Sequence, residues 1–315
     1  MSTAVATAMP FARLGLFVPV GLGSAGRAGR AGPAGPAGPP GTTFDEVLAL
    51  AAAAEHSGFD SIWVPDHPYA AATVADPLEA YTVLGALAAK TTRIRVAAMG
   101  PSAIARGPGM VVKQVTALDV LSGGRAILGL APQPWVSAAP GHPKEDALAE
   151  RATRFGEALD VCRALLDSGA PAPPGAPEGE GVTYNGSYYS LSRAVNRPRP
   201  VQPGGIPIVI PVSGADADSA VLDLAVRHAA ACVIVGGDSH LQATIDELRR
   251  RCTARGRDPT TLPVLHVGPV TTVERLQAVR ALGVDGVIVV LDDPHPDTVE
   301  RIGGELGGVL GGDLA

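Results

Sequence analysis

Eight short apolar runs alternate with helix-like segments along this chain of 315 residues, and no other feature restricts its possible folds so tightly. The runs occupy residues 13–20, 59–64, 93–98, 126–131, 206–211, 231–235, 262–267 and 286–291, each short enough for a strand. The segments between them carry helix-end signals. Thr43 with Glu46 reads as a capping box. Asp76-Pro77-Leu78-Glu79 reads as an N-cap followed by a first-turn proline. Gly123-Gly124, Gly169, Gly256 and Gly283 suit left-handed caps at the ends of the third, fourth, sixth and seventh helices. Strand-then-helix units imply parallel strands joined by right-handed crossovers. An open doubly wound sheet has fewer such units and a Gly-rich turn after its first strand. Eight units therefore predict a closed (β/α)8 TIM barrel of the α/β class, built by one domain over 1–315. Apolar residues make up 46% of the chain and aromatic residues 4%, so the core is expected from Ala, Val, Leu and Ile.

Two stretches interrupt the pattern. Within 24–42, glycine recurs every third residue among Ala and Pro, from Gly26 to Gly41. This is collagen's period, but inside the first strand-to-helix connection it reads as a flexible polyproline-like insertion. The second stretch, 170–203, carries Tyr184-Asn185-Gly186-Ser187-Tyr188-Tyr189, a strong hairpin signal. It predicts a β-hairpin insertion between the fourth helix and the fifth strand, able to overhang the barrel mouth. The glycine pairs 303–304, 307–308 and 311–312 predict a loose final helix.

The net charge of −6 gives no electrostatic footprint for nucleic acid or an anionic membrane surface. Cys162, Cys232 and Cys252 lack metal-ligand spacing, and an odd number argues against a disulfide framework. Met1 to Pro10 shows no signal-peptide pattern, and no apolar run reaches about 18 residues, so a cytoplasmic protein is expected. The chain has no P-loop, HExxH, CxxC or Gly-x-Ser-x-Gly elbow.

Barrel enzymes place their functional groups where strands end and lead into helices. That rule selects Asp66-His67 after strand two, Met99-Gly100-Pro101-Ser102 with Arg106 after strand three, and Ala131-Pro132-Gln133-Pro134-Trp135 after strand four. It also selects Ser213-Gly214, Gly236-Gly237-Asp238, Gly268 and Asp292-Asp293 after strands five to eight. His67 suits hydrogen bonding to a redox ring or proton transfer, since imidazole titrates near neutrality. A loop histidine bonded to a backbone carbonyl is an equal alternative. Asp66 serves either catalysis or the orientation of its neighbours. Ser213-Gly214 precedes a helix start, where free N–H groups and the helix dipole favour a phosphate. Trp135 suits covering a ring or shielding the mouth.

The run Gly58-Phe59-Asp60-Ser61-Ile62-Trp63-Val64-Pro65-Asp66-His67 resembles the second-strand signature of the bacterial luciferase-like superfamily. Lys113-Gln114, Leu118-Asp119-Val120-Leu121-Ser122-Gly123-Gly124-Arg125 and Leu128-Gly129-Leu130 resemble that family's third helix and fourth strand. Tyr184-Asn185-Gly186-Ser187-Tyr188-Tyr189, Arg199-Pro200-Val201-Gln202 and Ile206-Pro207-Ile208 are similar to its hairpin and fifth strand. The resemblance implies an oxidoreductase with a flavin or deazaflavin at the carboxyl end of the barrel. The ring would lie against strands three to five, near Met99, Gly100, Pro101 and Ala131. His67 would lie near the hydride-transfer centre, and Ser213-Gly214 would hold the phosphate. A cis peptide is implied near Met99-Gly100-Pro101.

The sequence departs from the family pattern at Pro132, Pro134 and Pro211, where relatives carry glycines; proline removes backbone donors. Three functions follow. The first is hydride transfer between reduced coenzyme F420 and a small organic substrate, with His67 and Asp66 catalytic and Trp135 and the 184–189 hairpin covering the ring. The second is an FMN-dependent monooxygenase supplied by a flavin reductase. The third is a degenerate flavin-binding barrel without turnover. A homodimer formed through the barrel helices is expected.

Overall fold

Val, Ile and Ala dominate the eight strands that the computed structural model closes into a barrel. The strands are β1 (Leu14–Phe17), β2 (Ser61–Pro65), β3 (Arg95–Met99), β4 (Ala126–Gly129), β5 (Ile208–Ser213), β6 (Ala231–Val235), β7 (Val264–Gly268) and β8 (Gly286–Val289). Neighbours in sequence are neighbours in space, every pairing is parallel, and β8 returns to β1. The structure describes residues 13–18, 20–22, 43–66, 76–100, 103–132, 148–168, 181–213, 220–235 and 237–312. The eight apolar runs read from the sequence each coincide with one strand, shifted by up to three residues.

Helices alternate with these strands: α1 (Phe44–Ser57), α2 (Ala80–Lys90), α3 (Pro108–Ser122), α4 (Leu148–Asp167), α5 (Ala220–His228), α6 (Asp238–Ala254), α7 (Val273–Ala281) and α8 (Pro296–Gly312). A short helical turn, Ala103–Arg106, precedes α3. The capping box at α1 forms: the Thr43 amide donates to Glu46 Oε2 at 2.6 Å and the Glu46 amide to Thr43 Oγ1 at 3.3 Å. Gly123, Gly256 and Gly283 all take positive φ at helix ends, while Gly169 lies outside the described residues.

At α2 the expected cap is replaced. Asp76–Pro77 instead pairs antiparallel with Gly21–Leu22. Glu79 caps the helix, its carboxylate accepting from the Tyr81 and Thr82 amides at 3.0 and 2.7 Å. A glutamate spans the first turn as well as a shorter side chain does, because two oxygens meet two free N–H groups.

Alternate strand residues divide the core. Trp63, Ala97, Ile127, Val209, Ala231, Val233, Leu265 and Ile288 face inward and form one cluster inside the barrel. Residues of the other parity, such as Ile62, Val64, Val96, Leu128 and Ile210, pack against the helices. Trp63 supplies the bulk that smaller inward residues leave vacant. A Cβ on Gly15 would lie 2.7 Å from Trp63 Nε1, so the indole requires glycine on β1. Its N–H donates to Ser61 Oγ at 3.0 Å.

Polar groups secure the amino end. Asp60 accepts from the Arg13 and Leu14 amides and from Ser61 Oγ, at 2.6, 3.1 and 2.8 Å. Burial raises the Asp60 carboxyl above its ordinary range despite these bonds. Asp119 accepts from the Val201 amide at 2.7 Å and from Gln202 Nε2 at 2.6 Å, fixing the approach to β5. The buried Arg125 guanidinium donates to the carbonyls of Ala88, Thr91, Ile94 and Ser122 and to Thr91 Oγ1.

Two expectations about peripheral segments change. The final helix is closely packed: a Cβ on Gly303 would meet Ser57 Oγ at 2.3 Å, and Gly307 lies against Gly58 of the α1 terminus. Gly304 and Gly308 have open space around them, so in these two pairs the first glycine faces the α1 terminus and the second does not. The chain 182–194 forms an antiparallel pair, Val182–Asn185 with Ser190–Ala194. Its tip is tied to α4 by the Glu157 carboxylate, which accepts from the Ser187, Tyr188 and Tyr189 amides at 2.7, 2.8 and 3.2 Å. Arg154 lies over the Tyr188 and Tyr189 rings. Beyond the pair, Asn196 bonds Ser168 and Thr116, and Lys113 bonds the Arg197 carbonyl. These contacts hold the pair along α4 and α3, on the barrel's flank, and not over its mouth.

Candidate active site

Strand parity and the barrel's closure define the opening at the carboxyl end. Inward residues one step above the interior cluster are Phe17, Pro65, Met99, Pro211, Val235 and Val267. Phe17, Met99 and Val267 pack on that cluster while remaining partly open. Val235 pairs with Ser213 and is 45% exposed although its strand is otherwise buried. The floor of the opening is therefore apolar and incompletely covered. Leaving such a side chain in water forgoes about 25 cal/mol per Å² of burial, which a flat apolar ligand would recover.

Glycines let β3 and β4 approach beneath this floor. A Cβ on Gly129 would lie 2.2 Å from the Ala98 carbonyl oxygen. Gly100 turns at φ +67°, a left-handed conformation, with its open face toward Ala131 and Pro211. Met99, Gly100, Ala131 and the backbone of Ser213 thus stand on the ends of three consecutive strands.

Beside the floor lies a charged cluster. Asp66 immediately follows β2 and is fully buried. Arg106 donates from Nε to Asp66 Oδ2 at 2.9 Å and from Nη2 to Asp66 Oδ1 at 2.6 Å. The same Nη2 reaches Glu79 Oε1 at 2.7 Å. The Tyr81 ring lies 5.4 Å from the guanidinium carbon. Burial pushes the Glu79 carboxyl up, but hydrogen bonds from Thr82 and Tyr81 and the Arg106 charge outweigh it and hold it below the ordinary range. Burial, then the Asp66 charge, raises the Tyr81 hydroxyl far above its usual range, so it stays neutral.

Of the residues selected from the sequence, Asp66, Met99, Gly100, Ala131 and Ser213 come together at one end of the barrel. His67, Pro101, Trp135 and Gly214 lie outside the described residues. Among the described residues the cis peptide bond is Arg197–Pro198, and the Gly100–Pro101 bond falls outside them. Glu79 and Tyr81 carry no site signal in the sequence. Glu79 is marked there only by its place at a helix start. Arg106 was selected by position, but nothing in the spacing of residues 66, 79 and 106 announces that they meet. His266, buried on β7, has the outward parity of Val264 and belongs to the helical side of the wall.

Comparison with known proteins agrees with this geometry. The luciferase-like monooxygenase family model matches residues 12–288. An uncharacterised protein of Mycobacterium tuberculosis is 28% identical over 284 residues, covering 82% of this chain and 90% of the relative. An F420-dependent glucose-6-phosphate dehydrogenase of Beutenbergia cavernae is 34% identical over 176 residues, a match spanning 55% of this chain and 48% of that one. The crystal structure of the long-chain alkane monooxygenase LadA superposes with a TM-score of 0.71 at 15% identity, covering 96% of this chain and 92% of LadA. With a closed barrel, an open apolar floor at its carboxyl end and a family match over most of its length, the chain belongs to the luciferase-like monooxygenase family of oxidoreductases.

Proposed function

We propose that this protein transfers hydride between reduced coenzyme F420 and a small organic substrate at the carboxyl end of the barrel. The open apolar floor carries the reading: Phe17, Met99, Val235 and Val267 offer a flat aromatic ring a surface that water otherwise meets. A deazaflavin ring supplies the hydride chemistry when bound; the protein supplies orientation and exclusion of water. Met99, Gly100, Pro101 and Ala131 would line the ring, and the left-handed turn at Gly100 keeps a side chain out of its path. Ser213-Gly214 would hold the cofactor phosphate, where strand gives way to helix. His67 would hydrogen-bond the ring or relay a proton, and Trp135 would shield it. The 34% identity to an enzyme named for F420 dependence favours the deazaflavin.

A second reading, an FMN-dependent monooxygenase fed by a flavin reductase, is favoured by the family's description and by the superposition on LadA. Separate equilibrium titrations with F420 and FMN distinguish the two. Micromolar or tighter binding of F420, with no oxygen uptake, is expected. Oxygen consumption with reduced FMN and substrate would establish the second reading, and failure of both titrations would leave a barrel without turnover. His67→Ala is expected to reduce turnover; unchanged binding and turnover would remove His67 from the mechanism.

A further inference from the structure

The charged cluster bridges three separate pieces of the barrel mouth. Asp66 closes β2, Arg106 stands on the helical turn that follows β3, and Glu79 caps α2. The Asp66 amide also faces the Met99 carbonyl at 3.4 Å, so the β2 end and the β3 end are joined by backbone as well as by side chain. Both Asp66 oxygens are taken by the guanidinium and the residue is fully buried. It has no exposed oxygen with which to accept a proton from a substrate. A planar guanidinium binding both carboxylate oxygens fixes direction as well as distance, which an ammonium cannot do.

We infer that Arg106 is a positioning residue: through Asp66 and Glu79 it fixes the β2 end against the Met99–Gly100 turn and so sets the shape of the pocket that receives the cofactor ring. The inference rests on the function proposed above. Under it Asp66 is likewise a positioning group and not a proton carrier. The buried side of the cluster is charge-balanced, because Asp66 and Arg106 neutralise each other while Glu79, one-third exposed, keeps contact with water. Removing the guanidinium would leave Asp66 buried without a counter-charge, and the β2 end would have to move to hydrate it.

The test uses the full chain with Arg106→Met and Arg106→Lys, in amide hydrogen exchange and in titrations with F420 and FMN. Arg106→Met is expected to speed exchange about tenfold in peptides covering 61–66 and 95–100 while leaving 264–268, across the mouth, unchanged. It should weaken binding of whichever coenzyme the wild type takes by about tenfold and shift the absorption band of the saturated complex. Arg106→Lys, which keeps the charge but loses the fork, should fall between the two. Wild-type exchange in Arg106→Met overturns the inference. So does faster exchange with unchanged affinity and an unchanged band, the result a purely stabilising pair would give. Should the wild type bind neither coenzyme, the proposed function fails, and the exchange arm still decides whether Arg106 holds the two strand ends. If Arg106→Met does not fold, Glu79→Gln releases the guanidinium from one side, with smaller changes expected in the same peptides and wild-type exchange again contradicting the inference.

Discussion

The amino end of the barrel spends its charges on backbone, whereas the carboxyl end leaves apolar side chains open beside the buried Asp66–Arg106 pair. Below the strands, Asp60, Asp119 and Arg125 bond amides or carbonyls that would otherwise be buried unpaired. The Glu55 carboxylate likewise accepts from backbone, from the amides of Thr92, Arg93 and Ile94. Above the strands, Val235 remains 45% exposed and Met99 and Val267 are only partly covered. A barrel can present an unsatisfied surface at one end because the other end is satisfied. Substitutions below should therefore cost stability, and substitutions above should cost binding.

The largest effect is expected from Arg125→Met. It strands four carbonyls, and a buried acceptor left without its donor costs about 1–3 kcal/mol, so the combined loss should exceed that of any other substitution named here. Urea unfolding should show that loss, while coenzyme affinity of the folded protein stays at the wild-type value. A matching fall in affinity would erase the distinction between the ends. Gly129→Ala should follow, at about 1–3 kcal/mol, because its Cβ would press on the Ala98 carbonyl and the strands would have to part. Val235→Asp reverses the pattern. As a surface change it should alter stability by no more than about 0.5 kcal/mol. It should nevertheless weaken coenzyme binding about tenfold, since a carboxylate on the floor would have to be desolvated beneath the ring. Unchanged affinity would show that the floor is not the binding surface.

The pattern of the fold was legible because its signals are local. The apolar runs, the Thr43–Glu46 box and the caps at Gly123, Gly256 and Gly283 each act within a few residues, and these reappear. Where the sequence misled, a second element had decided. Asp76-Pro77 looks like a helix start, but Gly21–Leu22 recruits it into a strand pair and leaves capping to Glu79. Asn185-Gly186 announces a hairpin without saying where it docks. Glu157, on a helix some thirty residues earlier, decides that. The glycine pairs near the terminus resemble a loose segment until Gly303 is seen against Ser57. The same asymmetry explains why the site was only partly visible. Asp119 and Arg125, which carry much of the family resemblance, serve the amino end, so the most recognisable residues describe the scaffold. Asp66 and Arg106 are forty residues apart, and only closure of the barrel makes them a pair.

Two smaller effects refine the comparison. Glu79 has a lowered pKa in the folded protein, so its linked stability is present above the ordinary carboxyl value of 4.5 and is lost as pH falls through the lowered one. The stability difference between wild type and Glu79→Gln should shrink on acidification, starting from no more than about 1 kcal/mol because the pair is partly solvated. A difference independent of pH would contradict the charge assignment. Glu157→Gln should be milder still, speeding amide exchange at 187–189 and leaving coenzyme affinity untouched, as the pair lies on the flank. Reduced affinity would place the hairpin in the site.

The central claim is that the open apolar end of the barrel receives the coenzyme. Amide exchange of the wild-type protein with and without saturating F420, and separately FMN, tests it most directly. Slower exchange confined to 14–18, 61–66, 95–100, 208–213, 231–235 and 264–268, with 119–126 and 201–205 unaltered, is the expected result. Protection at the amino end, or none with either coenzyme, would contradict it.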